Sequence, residues 1–320
     1  MFNLYDECKD AKKIAISAHI RPDGDAVGSC MAMALYLRKR IPGVEVDVYL
    51  DPIADYFLCI KDSEKIINVN PVVDGKVDII YDIFICVDCG PMRMSFGQEL
   101  FDSAKKRINI DHHVTNPDGY GEVNYMEPES GSAAELVYKT LDKEYLDADI
   151  ALPIYIGIIH DTGVLQYSNV RPETLRTVSE LIEYGFDFPN IILKTFYEKT
   201  YVQSQILAKA IMDSTLIMDG RIIASVTAKK TMDDMNADSR DLEGVVNQLR
   251  NIRGVDCAIY MYELDTNKYK VSLRTTEAVD AAKVTAVYDG GGHERAAGVT
   301  MTGTSQEITD KLVAEIAKQF

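Results

Sequence analysis

Positive charge is in short supply in this chain. Lysine and arginine number 34 against 50 aspartates and glutamates, a formal net charge of −16. A grip on long duplexes depends on neutralising phosphates, so no long duplex nucleic acid is expected as a partner. A small anion held in a local basic or metal-lined pocket stays compatible with that balance. Carboxylates clustered to hold cations would themselves add negative charge. Long hydrophobic runs are lacking too. None approaches the ~20 residues that span a bilayer, so no membrane association is expected. Residues 1–7 have no basic region followed by an apolar one, unlike a signal peptide, and a cytoplasmic location is expected. The six cysteines (8, 30, 59, 86, 89 and 257) are scattered without a disulfide framework. Cys86 and Cys89 form a C-x-x-C pair. A zinc site would want a second such pair and a redox motif a helix start, so both are read as strand-end cysteines. Histidine is equally scarce, with five (19, 112, 113, 160 and 293).

What is present is organised around the ends of apolar runs. Residues 13–18 form a β-branched run bounded by charge, which predicts a buried strand. His19, Asp23 and Asp25 follow on the loop leaving it, and a helix is expected over 26–40. In open α/β sheets ligands bind at such strand ends, although Asp and Gly are also ordinary turn and cap formers. Residues 44–50 alternate with period two and predict a second strand, and 61–76 are polar and turn-rich. Residues 82–87 predict a fully buried parallel strand ending on Asp88, with Cys89-Gly90-Pro91 as a turn. The run 107–110 predicts a further strand, leading directly into Asp111-His112-His113. Three ionisable side chains in a row at a strand end are hard to explain as packing. A helix over 131–137 and an apolar helix over 150–159 follow. Asp161 emerges at the buried end of the latter, a costly place for an unpaired carboxylate. His160 beside it is read as compensating the helix dipole.

At 320 residues, with 47% hydrophobic content, two domains are expected. The reading is α/β: a mostly parallel sheet flanked by helices over 1–188, a helical linker over 189–206, and a smaller α/β domain over 207–320 across a cleft. In the second part, strands are expected near 215–218 and 221–226, joined by a turn at Asp219-Gly220. Helices over 242–252, 281–288 and from 306, and strands over 256–264, 269–274 and 299–301, complete it. Gly290-Gly291-Gly292-His293 would expose backbone N–H groups and admit a phosphate closely, with Arg274 and His293 as donors.

His19, Asp23, Asp25, Asp88, His112 and Asp161 make a mixed imidazole and carboxylate set. It suits hard divalent ions, manganese first and magnesium second. Six ligands exceed the need of one ion and fit two if a carboxylate bridges, and Asp88, on an expected central strand, is the choice for that bridge. Two ions ~3.5–4 Å apart form the usual clamp for in-line displacement at phosphorus. Asp111 is read as orienting a ligand histidine, and His113 as facing the phosphoryl oxygens.

His19-x-x-x-Asp23-x-Asp25, Asp88 after an apolar strand, Asp111-His112-His113 and Asp161 resemble, in order, the four motifs of the DHH phosphoesterase superfamily. Gly290-Gly291-Gly292-His293 with Ala296-Ala297-Gly298 resembles the signature of the domain that accompanies it. The match spans essentially the whole chain, and the two-domain plan is similar to the nanoRNase and 3′-phosphoadenosine 5′-phosphate (pAp) phosphatase branch. The resemblance implies two manganese ions, with magnesium as the substitute. One would take His19, Asp23 and Asp88, the other Asp25, Asp88, His112 and Asp161. Asp88, Asp111 and His113 would be catalytic, with His113 at the scissile phosphate. Arg274, Gly290, Gly291, Gly292 and His293 would bind the far end of the substrate. Expected substrates are short oligoribonucleotides such as pApA, and pAp itself. The sequence leaves the oligomeric state open, a homodimer included. A stand-alone cyclic di-AMP phosphodiesterase and a non-catalytic nucleotide sensor are the alternatives left open.

Overall fold

The computed structural model describes residues 2–70, 79–90 and 93–320. The chain forms two compact units, Met1–Glu198 and Lys199–Phe320. The first opens with α1 (Leu4–Cys8), β1 (Lys13–Ser17), α2 (Gly24–Arg40) and β2 (Glu45–Tyr49). It continues with β3 (Ile83–Val87), α3 (Gln98–Ser103), β4 (Lys106–Asp111) and β5 (Val123–Met126). Four helices complete it: α4 (Ala133–Thr140), α5 (Ala148–Asp161), α6 (Pro172–Ile182) and α7 (Phe188–Ile192).

Among the described residues its strands form one sheet, all parallel, in the order β2-β1-β3-β4-β5. Alternating side chains explain why the sheet is covered on both faces. Ile14, Ile16, Ile83, Ile85 and Val87 pack with α2, α4 and α5, whereas Ala15, Phe84 and Cys86 pack with Tyr49, Tyr81, Leu100 and Phe101. The chain leaves β1 for β2 on one side and returns to β3 on the other, so the order reverses between β1 and β3. Their carboxyl ends flank the crevice where such sheets bind ligands. His19 follows β1, and Asp88 directly follows β3.

α2 and α5 pack at backbone distance. A Cβ added to Gly28 would lie 2.3 Å from the Pro153 carbonyl oxygen, and one on Gly157 2.9 Å from Asp25 Oδ1. The helical stretch after Asp187 is interrupted. α7 passes into a π-helical turn, Leu193–Tyr197, and Glu198 is extended. A new helix then starts from the Thr200 cap, closed by Gln203. The segment expected to be turn-rich contains a short 3₁₀ turn, Ser63–Lys65; residues 71–76 of it, and Pro91, lie outside the described residues.

The second unit contains α8 (Tyr201–Met212), β6 (Thr215–Ile217), β7 (Ile222–Thr227), α9 (Lys229–Asp234) and α10 (Val245–Arg250). β8 (Cys257–Asp265), β9 (Lys268–Thr275), α11 (Ala281–Ala286), β10 (Gly291–His293), β11 (Ala296–Thr302) and α12 (Ser305–Ala317) follow. The sheet order is β10-β11-β9-β8-β7-β6, antiparallel except for β7 with β8. The hairpin between β6 and β7 turns one residue earlier than expected, since Met218 and Asp219 are the first left-handed residues, with Gly220 following. Among the described residues no helix is long and apolar enough to cross a membrane, and all six cysteines are free thiols.

Candidate metal centre and active site

Four chain segments bring His19, Asp23, Asp25, Asp88, His112 and Asp161 together. Asp23 caps α2, accepting from the Asp25 and Ala26 amides at 3.0 and 3.2 Å. The ordinary capping role and a place in the site therefore coexist in one carboxylate. Asp25, in the first turn of α2, is buried, and the start of α4 holds it. Ala133 N–H donates to Oδ2 at 2.6 Å and Ala134 N–H to Oδ1 at 2.8 Å, as expected for an anion at a helix N-terminus. Ser29 Oγ donates to the same Oδ1 at 3.3 Å.

Each histidine is oriented through its Nδ1. His19 Nδ1 lies 2.9 Å from the Ile20 carbonyl and His112 Nδ1 3.2 Å from that of Ser130. Both Nδ1 atoms therefore donate, and both Nε2 atoms face the carboxylates, the orientation of an imidazole that ligates a metal once Nε2 has lost its proton. His19 Nε2 is 3.4 Å from Asp88 Oδ2 and 3.7 Å from Asp23 Oδ1. His112 Nε2 is 3.5 Å from Asp88 Oδ1, 3.6 Å from Asp161 Oδ2 and 3.8 Å from Asp25 Oδ2. Asp88, 2% exposed, thus turns one oxygen to each histidine. It does so from a left-handed backbone, φ 53°, a conformation uncommon outside glycine that re-aims the side chain at the strand end.

The electrostatics are those of a crowded anionic pocket. Burial and the neighbouring Asp88 and Asp161 push the Asp25 carboxyl well up. Burial likewise lifts Asp161 to about 7, with Asp88 and Asp23 adding to it against His112. Burial opposes a charge on the histidines, yet their carboxylate neighbours prevail: Asp23 and Asp88 hold His19 at about 11, and Asp88 and Asp25 hold His112 at about 10. Within the first unit the basic groups that face these four carboxylates are His19, His112 and His113. Asp25 and Asp88 are buried, and buried carboxylates crowded together are costly unless a cation neutralises them; the donor atoms fall into sets close enough to hold an ion: His19, Asp23 and Asp88; Asp25, His112 and Asp161; and Asp88, His112 and His113. The residues present therefore fit divalent metal ions.

His113 sits differently. Its Nδ1 lies 2.7 Å from Asp111 Oδ1, whose other oxygen accepts from Asn116 Nδ2 at 2.8 Å. Asn116 also donates to Asn109 Oδ1 at 3.0 Å. Asn109 in turn donates to the Cys86 and Cys89 carbonyls at 3.1 and 3.2 Å, bracing the turn that carries Asp88. This buried amide network escaped the sequence reading. Its one signal was Asn109, a polar side chain inside an otherwise apolar strand. Asn169 is a second omission, donating to the Gly131 and Asp161 carbonyls at 2.8 and 3.1 Å and tying the end of α5 to the entry of α4.

His160 corrects the expectation of a dipole-compensating cation. Burial holds it near 4, so the ring is neutral at physiological pH. Its Nε2 is 3.1 Å from Thr195 Oγ1, which itself donates to the Ile191 carbonyl, so Nε2–H is the donor. The ring packs against Gly24, where an added Cβ would fall 2.3 Å from His160 Cγ. Cys86, within β3, accepts from Tyr120 Oη at 2.7 Å.

In the second unit, Arg274 pairs in register with Ala296, and Ala296 with His293. The two expected donors thus share one row across three strands. The glycines are not equivalent. A Cβ on Gly290 or Gly292 would meet β11 backbone atoms at 2.8 and 2.4 Å, while one on Gly291 would meet nothing within 4 Å.

Comparison with known proteins bears on this arrangement. Residues 13–158 match the DHH family, N-terminal domain, and residues 219–320 the DHHA1 domain. The chain carries a DHH N-terminal domain followed by a DHHA1 domain. The chain is 28% identical to the bifunctional oligoribonuclease and PAP phosphatase NrnA of Thermus thermophilus, covering 96% of this chain and 89% of that protein. It is 25% identical to the Bacillus subtilis protein of the same description, over 98% and 95% of the two chains. The structure of an exopolyphosphatase-related protein from Bacteroides fragilis superposes with a TM-score of 0.86 at 24% identity, covering 97% of this chain and 93% of that one, a likeness of fold. A chain with these two domains is a hydrolase.

Proposed function

We propose that this protein is a manganese-dependent phosphoesterase that cleaves short oligoribonucleotides and pAp to mononucleotides. The observation that carries the reading is Asp88, whose two oxygens face His19 and His112 separately. A carboxylate placed so could be shared by two ions. His19, Asp23 and Asp88 would hold one, and Asp25, Asp88, His112 and Asp161 the other. A donor set of two imidazoles and four carboxylates without thiolate favours manganese, with magnesium as the weaker alternative. When bound, such ions neutralise phosphoryl oxygens and lower the pKa of water toward neutrality.

The chain's own residues supply the rest. Asp111 fixes the His113 ring through Nδ1, and its carboxylate favours the imidazolium. The ring's Nε2 is then a proton-bearing donor for a phosphoryl oxygen. Arg274, Gly290, Gly291, Gly292 and His293 would receive a second phosphate of the substrate. The names of the Thermus and Bacillus relatives support oligoribonucleotides and pAp as the substrates, and a cytoplasmic location goes with them.

The test is a parallel assay of the purified protein on pAp, pApA and cyclic di-AMP, with manganese and then magnesium. Release of AMP from the linear pair, with the cyclic dinucleotide spared, is the expected outcome. Cleavage of cyclic di-AMP at a comparable rate would reassign the enzyme to signalling-nucleotide hydrolysis. Binding without turnover on all three would make it a sensor.

A further inference from the structure

The end of α5 that carries Asp161 is ringed by half-exposed aromatic side chains that the metal centre does not use. Beyond Thr162, three consecutive residues are left-handed: Gly163, Val164 and Leu165, with φ of 57°, 57° and 62°. For a β-branched valine and a leucine this is costly, and strain of this kind gathers at functional sites. The turn lays the Tyr167 ring directly on Gly163, where a Cβ would fall 2.3 Å from the ring carbons. It also delivers Gln166, whose Nε2 donates to Tyr197 Oη at 3.3 Å. Tyr197 belongs to the π-helical turn, a rare element that itself tends to mark functional sites. Thr195 of that turn receives the His160 bond, and Phe196 stands edge-on to both His160 and Tyr197, at 5.6 and 5.2 Å between ring centroids. Tyr56 stacks on His160 as well, with ring centroids 6.3 Å apart and planes at 24°.

His160 is thus the hub. It precedes Asp161 and packs on Gly24, between Asp23 and Asp25. The outer rings, Tyr56, Tyr167 and Tyr197, are 43%, 52% and 51% exposed. Single surface tyrosines need no explanation. Three around one helix end, two of them positioned by a strained turn and a π-turn beside six metal-ligand candidates, do.

We propose that Tyr56, Tyr167 and Tyr197 form a base-stacking shelf, so that the first unit itself binds the nucleobase of the nucleotide undergoing cleavage. The inference rests on the phosphoesterase reading above and adds a specificity element to it. Stacking on aromatic faces tolerates every base, because each has a π-face. The shelf therefore selects nucleotides over base-free phosphate esters without selecting among nucleotides.

The test compares pAp with its base-free counterpart, ribose 3,5-bisphosphate, in the wild type and in Tyr56, Tyr167 and Tyr197 variants to Ala and to Phe. On pAp, each Ala variant should raise KM by roughly 5- to 150-fold, the range that base–aromatic stacking gives on alanine substitution, with kcat affected far less. Phe, which keeps the ring, should restore most of that loss. On the base-free ester the Ala variants should differ little from wild type. Equal KM increases on both substrates, or none on pAp, would overturn the shelf. Binding of AMP by calorimetry is measured on the same proteins. If the wild type turns over neither substrate, the phosphoesterase reading fails on its own, and AMP affinity still decides the shelf: weakened in the Ala variants and recovered in the Phe variants if it stands, unchanged if it falls.

Discussion

Gly28→Ala tests whether the backbone contact between α2 and α5 builds the metal centre. In an unobstructed helix interior, alanine in place of glycine stabilises by about 0.5–1 kcal/mol. Here the new Cβ would sit 2.3 Å from the Pro153 carbonyl oxygen and 3.0 Å from the Gly157 nitrogen. Both are backbone atoms, so no side chain can swing away. Relieving the first contact to ordinary van der Waals separation requires the helices to part by about 1 Å. Overpacking of this kind costs ~1–3 kcal/mol. For a unit of this size each kcal/mol shifts the midpoint by roughly 2–4 °C, so calorimetry should show Tm falling by several degrees instead of rising. The same displacement carries Asp25, three residues before Gly28, away from Asp161 and His112. Metal sites tolerate only about ±0.2 Å in ligand distance, so manganese titration should show the site built from Asp25, His112 and Asp161 weakened. A variant with raised Tm and unaltered manganese binding would refute the reasoning.

Two further outcomes follow from the protonation states. With His19 held at about 11 and His112 at about 10 by their carboxylates, both rings carry protons at pH 7 in the metal-free protein, and ligation requires both to lose them. Metal binding should therefore release about two protons or more and weaken steadily as pH falls; calorimetry in buffers of different ionisation enthalpy measures this, and no buffer dependence would contradict the ligand assignment. His160 works with the opposite sign. Its folded pKa near 4 lies below the ordinary 6.5, so the unfolded chain binds the proton more readily. The contribution is complete above pH 6.5 and is lost as pH falls toward 4, a loss on the order of 3 kcal/mol. Urea unfolding of wild type against His160→Gln across that window should show the wild type losing more stability on acidification, and parallel curves would contradict it.

The strands that position the site were legible because each is a short apolar run stopping abruptly at an ionisable residue: 13–18 before His19, 82–87 before Asp88, 107–110 before Asp111. β5 was not expected. It is an edge strand with no fully buried residue, and so lacks the hydrophobic pattern that marks the others. The candidate ligands could be read from residue type and order, but what holds them could not. Asp25 is satisfied by amides 108 and 109 residues away, and Asn116 reaches Asp111 only because the chain folds back after His113. His160 was misjudged for the same reason. A histidine at a helix end reads as a cation until the aromatic rings and Gly24 that bury it are known.

The measurement that tests the account most directly is manganese stoichiometry by equilibrium dialysis on wild type and Asp88→Asn, with AMP release from pAp followed on the same samples. Two ions per wild-type chain, no more than one in the variant, and loss of turnover with the second ion are the predicted results. One ion in the wild type, or an Asp88→Asn enzyme that keeps two ions and its turnover, would contradict a shared carboxylate at the centre of this site.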